Sequence, residues 1–368
     1  MGPGSAPPRP RPRHPHGRGP LPEDPMRVAC FVHGRGAGHA SRAREAVAAL
    51  EARGHTVHLF AAGRAAELLA DLPLTVVGLC APGRGMPAAF ARRLAHDLAA
   101  LRELRPAVVL SDGDAPSVHA AALLRIPSVA VGHGLLFHHA ELPIPVPPAI
   151  RLYERFNAGS SSWPAARRVV PHFAPVRART AGTTIARPDL RADLDPDAPT
   201  EDFVLTYFRD DDGEAVLRAL VARGERVVCF GRGPVPPGVE AHAPSAASFA
   251  HHLSRCRAVI ASAGNHLPAE AVMLGKPLLA LYGRRDGEQR MNGELFRAAG
   301  FGLAAPLDAV DRALLDRWAA LRPPDPAPLL AMPPASLAIA DAIDDALADA
   351  MGHTIHRGAR PHAVRAHR

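Results

Sequence analysis

Lys276 is the only lysine in 368 residues, so nearly all positive charge here is arginine. Aromatic residues make up 5% of the chain, and there are four cysteines. Cys30, Cys80, Cys229 and Cys256 lie far apart and form no CxxC pair, which excludes the usual zinc-ribbon and dithiol redox patterns. Cys30 and Cys229 fall in apolar runs, so buried thiols in a reduced, cytoplasmic setting are expected. No apolar run reaches the roughly 18 residues of a membrane span. Residues 1–25 lack the apolar core of a signal peptide.

The net charge is +7, yet residues 1–25 and 352–368 account for six of those charges, leaving the body nearly neutral. A nucleic-acid surface needs its basic face on the folded body, interleaved with aromatics. No nucleic-acid partner is therefore expected.

Between the tails, short apolar runs alternate with helical segments. RVACFVH (27–33), TVHLF (56–60), LTVVGL (74–79), AVVLS (107–111) and PSVAVG (127–132) read as strands, each followed by a helix. A second series begins at FVLTYF (203–208) and runs through RVVCF (226–230), VEAH (239–242), AVIAS (258–262) and PLLALY (277–282). Such runs mark parallel sheets covered on both faces. The expected fold class is α/β, with two Rossmann-like doubly wound domains facing a cleft. The expected division is a disordered Pro/Arg-rich tail (1–25), a first domain (26–190), a polar linker (191–202) and a second domain (203–334). A helix (335–351) packing back on the first domain and a frayed basic tail (352–368) would complete the chain.

GRGAGH (34–39) follows the first strand and opens a helix expected at about 40–53. Gly36 and Gly38 allow a tight turn that brings the backbone close to an anionic or hydroxyl ligand. A dinucleotide fingerprint requires GxGxxG and an acid after the second strand. Here His39 takes the third glycine position and HLFAAG carries no acid, which disfavours a dehydrogenase. His39 either takes a proton from an attacking hydroxyl or caps its helix. Arg42, one turn later, either pairs with an acidic group of the ligand or is a solvated surface residue.

SAGNHLPAEAVMLGKP (262–277) repeats the strand, loop and helix order, with Pro268 and Gly275 as helix punctuation. Gly264, Asn265, His266 and Leu267 are placed to hold a diphosphate, and Glu270 either binds a ribose or complements the helix dipole. Asp286, Gln289 and Asn292 recur every three residues and are expected to share a helix face that contacts sugar hydroxyls.

SDGD (111–114) reads as a metal motif if taken alone. Asp112 is cast instead as a partner orienting His39 or as an acceptor-binding residue, with Asp114 as a helix N-cap. His133 follows the fifth strand and is expected to contact acceptor or donor; His138 and His139 do not form HExxH and read as structural or surface residues.

Taken together, GRGAGH and AGNHLPAEAVMLGKPLLALYGRRDGEQRMN (263–292) resemble the family of bacterial lipid-II-forming N-acetylglucosaminyltransferases and the related GxGH glycosyltransferases of GT-B fold. The resemblance implies inverting, metal-independent transfer from a nucleotide-diphosphate sugar, with uridine as the nucleoside, to a small-molecule or lipid-linked acceptor. No cofactor beyond that co-substrate is implied. It makes His39 catalytic or acceptor-positioning, gives Glu270 the ribose, and matches Glu288 and Gln289 to a glutamine pair on the donor sugar. Three departures stand out: Asn265 and His266 replace small residues, YFRDDDG (207–213) replaces a glycine-rich loop, and Glu288 replaces a glutamine. A nucleotide-sugar hydrolase shares the GxGHxxR segment, here Gly36 to Arg42. An epimerase and a non-catalytic sugar-nucleotide binder use the same architecture.

Overall fold

The computed structural model describes residues 25–34, 37–80, 85–210 and 212–358. The stretch 1–25 expected to be disordered lies outside the described residues except for Pro25, as do Gly36 and residues 359–368.

The first half runs β1 (Arg27–Val32), α1 (Ala37–Glu51), β2 (Thr56–Ala62), α2 (Gly63–Leu68), β3 (Leu74–Val77), α3 (Met86–Leu104), β4 (Val108–Asp112), α4 (Ala115–Leu123) and β5 (Ser128–Val131). It continues with α5 (Leu136–His139), β6 (Ala140–Glu141), α6 (Pro148–Asn157), β7 (Arg167–Pro171), β8 (Arg177–Ala178) and β9 (Thr183–Ala186). The seven-stranded sheet has the order β3-β2-β1-β4-β5-β7-β9, with β6 and β8 pairing separately. β1 is apolar almost throughout because both its faces are covered. Val28, Cys30 and Val32 point into one core layer and Ala29 and Phe31 into the other, following the two-residue period of a strand. Phe31 stacks on its register partner Phe60 at 4.4 Å.

The second half comprises β10 (Val204–Tyr207), α7 (Glu214–Ala222), β11 (Val227–Phe230), β12 (Val239–His242), α8 (Ala246–Arg255), β13 (Ala258–Ser262), α9 (His266–Met273), β14 (Leu278–Tyr282) and α10 (Gly287–Ala298). β15 (Leu303–Pro306), α11 (Arg312–Ala319) and α12 (Ala327–Leu330) follow. Its sheet order is β12-β11-β10-β13-β14-β15. In each sheet the chain reverses direction beside its first strand, between β1 and β4 and between β10 and β13. The crevice outside the carboxyl ends of strands at such a switch point is where α/β sheets bind ligands.

α13 (Ala335–Gly358) returns to the first half. Its Ala338, Ile339, Ala342, Ile343 and Ala346 join the layer that holds Val28 and Cys30. Arg53 pairs with Asp341 at 2.8 Å, and His55 Nε2 lies 3.0 Å from Asp344. The helix continues to Gly358, into the stretch 352–368 expected to fray. Among the described residues no helix is long and apolar enough to cross a membrane, and no disulfide joins the four cysteines.

Candidate active site

The first switch point is built by strand register. Val32 of β1 and Asp112 of β4 are paired, and the His33 amide donates to the Asp112 carbonyl at 3.0 Å. α1 begins at Ala37, earlier than expected, so Gly38 and His39 sit in its first turn. That turn aims His39 at the end of β4. Its Nδ1 lies 2.8 Å from Asp112 Oδ1. Arg42, one turn on, grips the same carboxylate with Nε at 2.9 Å and Nη2 at 2.6 Å. Arg42 is 4% exposed, so it is an interior partner and not a solvated surface residue.

Burial alone would raise the pKa of Asp112, but Arg42 and His39 outweigh it and hold the carboxyl well below its ordinary range. An ionised carboxylate only accepts hydrogen bonds, so His39 donates through Nδ1 and keeps its lone pair on Nε2. That is the tautomer a general base requires. Gly113 completes the arrangement. Its φ is +66°, and an added Cβ would stand 3.0 Å from His39 Cε1, so only glycine fits there without strain and without displacing the ring.

At the second switch point Asn265 occupies the N-cap position of α9 but makes no capping bond. Its Nδ2 donates to the Pro171 carbonyl at 2.9 Å and its Oδ1 accepts from the Phe173 amide at 3.3 Å. The side chain expected on the diphosphate therefore ties the two halves together. The first-turn amides of α9, including those of His266 and Leu267, consequently have no side-chain cap from Asn265. Uncapped helix N-termini attract anions. Gly264 precedes them with its side open, nothing lying within 4 Å of an added Cβ.

His266 faces the first turn across the cleft. An added Cβ on Gly38 would be 3.4 Å from His266 Cε1, so the two glycine turns are in near contact. Burial, followed by the nearby Arg42, His133, Arg191 and His39, lowers the His266 pKa to about 3, leaving a neutral imidazole. Glu270, expected to accept ribose hydroxyls, is 2% exposed and is gripped by Arg191 of the linker, with Nε at 2.7 Å and Nη2 on the other oxygen. The Arg191 guanidinium also lies 4.8 Å from the centre of the Phe249 ring.

The row Asp286, Gln289 and Asn292 divides. Asp286 is the N-cap of α10, accepting from the Gln289 amide at 2.9 Å and pairing with Arg209. Asn292 is an interior tether and not the expected sugar contact: its Nδ2 donates to the Ala263 carbonyl at 3.1 Å and its Oδ1 accepts from His172 Nε2 at 3.2 Å. Asp286 and Gln289 do line an open depression of about 300 Å³, together with Ser262, Gly283, Asp210 and Asp212. Glu288 reaches the first half, where its Oε1 lies 3.1 Å from His133 Nε2. The hydrogen bond to His133 holds Glu288 below the ordinary carboxylate range.

Other candidates fall outside this cleft chemistry. Asp114 caps α4 through the Ser117 amide at 3.1 Å and binds Arg93, so SDGD does not converge its two acids on one point. His139 is held by Thr180 and Ser162, and burial lowers its pKa to about 4. Three cleft residues stand outside any motif: Arg191, His172, and Glu154, a buried carboxyl whose pKa is raised by burial beside His133 and Glu288.

Two doubly wound sheets with apposed switch points define a GT-B protein, and solved structures bear this out. MurG from Acinetobacter baumannii is 16% identical, with 87% of this chain and 100% of that chain covered at a TM-score of 0.59. LpCGTa, solved in complex with UDP, is 14% identical, with 90% and 99% covered at 0.61. A UDP-GlcNAc 2-epimerase from Methanocaldococcus jannaschii is 11% identical, with 81% and 92% covered at 0.55. No curated protein sequence matches the chain. The model of glycosyl transferase family 1 matches residues 26–80 and 84–323, so the chain belongs to that family and is a glycosyltransferase.

Proposed function

We propose that this glycosyltransferase takes its sugar from a nucleoside diphosphate sugar, with uridine as the nucleoside, and delivers it with inversion to an acceptor hydroxyl. The observation that carries the reading is the His39–Asp112 pair, 2.8 Å apart at one switch point and facing the α9 turn of the other. His39 Nε2 removes the acceptor proton as the oxygen attacks the anomeric carbon, and the bond to the diphosphate breaks in the same displacement. A single displacement inverts that centre.

Negative charge then grows on the leaving diphosphate. The α9 amides at His266 and Leu267 are placed to stabilise it, a role that helix dipoles fill without a metal. Asp210 and Asp286, both paired with Arg209, and Asp212 line the adjacent depression with hydrogen-bond acceptors that suit sugar hydroxyls, so the donor sugar is assigned there. Uridine is supported by two neighbours whose names carry a uridine nucleotide.

The test is turnover of a panel of UDP- and TDP-sugars with and without hydroxyl acceptors, using wild type, His39→Ala and Glu270→Ala. Nucleoside diphosphate release that depends on an acceptor and on His39 is the expected result. Free sugar without acceptor would mean that His39 activates water, and a changed sugar would mean epimerisation. Near-normal turnover in both variants would overturn the site.

A further inference from the structure

The outer edge of the second sheet brings together metal-ligating side chains that the transfer reaction does not use. Glu240 and His242 are two residues apart on β12, so the pleat sets both on one face. α8 packs nearby and offers His252 from its second turn. One ligand atom from each of Glu240, His242 and His252 lies within 4.8 Å of the other two.

The rings are held in place. His242 stacks on Phe230, its register partner on β11, with centroids 5.0 Å apart and planes 17° from parallel. His252 lies 4.6 Å from His242 and 5.4 Å from Phe230, centroid to centroid. His252 Nδ1 donates to the Ser248 carbonyl at 2.7 Å, so its lone pair is on Nε2. An imidazole whose other nitrogen is anchored to a backbone carbonyl is already in the tautomer and orientation of a metal ligand. His242 Nε2 and Glu240 Oε1 are 2.8 Å apart, sharing a proton that a cation would replace.

We propose that Glu240, His242 and His252 form a binding site for a divalent transition metal of the zinc class. It takes one carboxylate oxygen and two imidazole nitrogens, with the fourth position left to water. Bonds of about 2.0–2.1 Å in a tetrahedron bring neighbouring ligand atoms to roughly 3.3 Å. The 2.8 Å Glu240–His242 contact opens slightly and the longer separations shorten by side-chain rotation. The competing cation is Arg226, whose Nη2 is 3.5 Å from Glu240 and whose Nη1 is 4.0 Å from Glu201, a carboxylate that can retain it. β12 is an edge strand with one sheet neighbour, and the metal gives it a second attachment, to α8, behind Phe230 and Phe249.

The test is calorimetric titration of chelator-stripped full-length protein with Zn²⁺, with Co²⁺ absorption reporting the ligand set. Wild type is expected to bind, and His252→Asn and Glu240→Gln to weaken that binding by more than the roughly ten- to hundredfold lost with an outer-shell partner. Glu240 is exposed, so Glu240→Gln leaves the core intact if His252→Asn fails to fold. The chain holds 20 histidines, so binding by wild type alone does not identify the site. Zn²⁺ affinity unchanged in Glu240→Gln, or no binding by wild type, would overturn the proposal.

Discussion

His39 and Asp112 lie 73 residues apart in the chain and 2.8 Å apart in the fold, because β1 and β4 are neighbours that both end at the first switch point. Asp112 is shared with Arg42, so one buried carboxylate fixes both the histidine tautomer and a buried guanidinium. A single atom of that carboxylate, Oδ1, meets both partners.

Asp112→Asn should therefore separate chemistry from binding. An amide cannot hold Nδ1 in the donating state as a carboxylate does, so kcat should fall by about two to four orders of magnitude, the usual worth of a positioned base. The donor KM should change little, because Asp112 is assigned no donor contact. Arg42 would lose its counter-charge in the interior, at a cost of about 3–5 kcal/mol. Steady-state kinetics and urea unfolding measure the two effects; an unchanged kcat in a folded variant would remove Asp112 from the mechanism.

Glu270 offers a second separation. Its two oxygens are both engaged by Arg191, so a ribose must either displace that arginine or share the carboxylate with it. Glu270→Gln is expected to weaken UDP binding and to loosen the linker at once. Arg191→Ala is expected to destabilise the fold by leaving a buried carboxylate unpaired. Calorimetry with UDP and thermal unfolding test this. UDP affinity unchanged in Glu270→Gln would take the ribose away from this residue.

What could be read from the sequence was local. GRGAGH, SDGD and SAGNHLPAE each follow a strand and open a helix, and their placement at switch points follows from strand order. The pairing of Asp112 with His39 was accessible by the same route. The bridges between halves were not: Asn265 reads as a diphosphate contact and Asn292 as a sugar contact on a helix face, and only the tertiary approach of Pro171, Phe173 and His172 gives them other partners. β15 and α11 carry no clear sequence signal because LAAP is too short for a period and α11 is little more than two turns long.

The same bridges predict a pH dependence. His172 accepts from the Ala174 amide through Nδ1 at 2.9 Å and donates from Nε2 to Asn292, so it is held neutral, and burial lowers its pKa to about 3. In the unfolded chain it titrates near 6.5. Between those values only the unfolded state takes up the proton. The stability due to neutral His172 is full above pH 6.5 and is lost as the pH falls, by up to about 1.4 kcal/mol per pH unit. His266 and His139 act in the same direction. Urea unfolding at several pH values should give His172→Asn a shallower slope than wild type. Equal slopes would mean that His172 protonates freely in the fold.

Asn265→Ala decides between the two jobs proposed for that residue. If the side chain held phosphate, its loss would weaken nucleotide binding and leave stability nearly intact. The geometry assigns it to the Pro171 carbonyl and the Phe173 amide, both at the seam between the halves. Phe173 is fully buried against Phe296, with ring centroids 5.8 Å apart, so water has little access to the amide that would lose its partner. An unsatisfied buried polar group costs about 1–3 kcal/mol. Urea unfolding should show a loss of that size, while UDP affinity, supplied by the α9 amides and not by the Asn265 side chain, should be little changed. Asn265→Asp sharpens the contrast. It loses the donor to Pro171 and brings a negative charge to the start of α9, where the leaving diphosphate is assigned. It should therefore lower both stability and UDP affinity, whereas Asn265→Ala lowers stability alone.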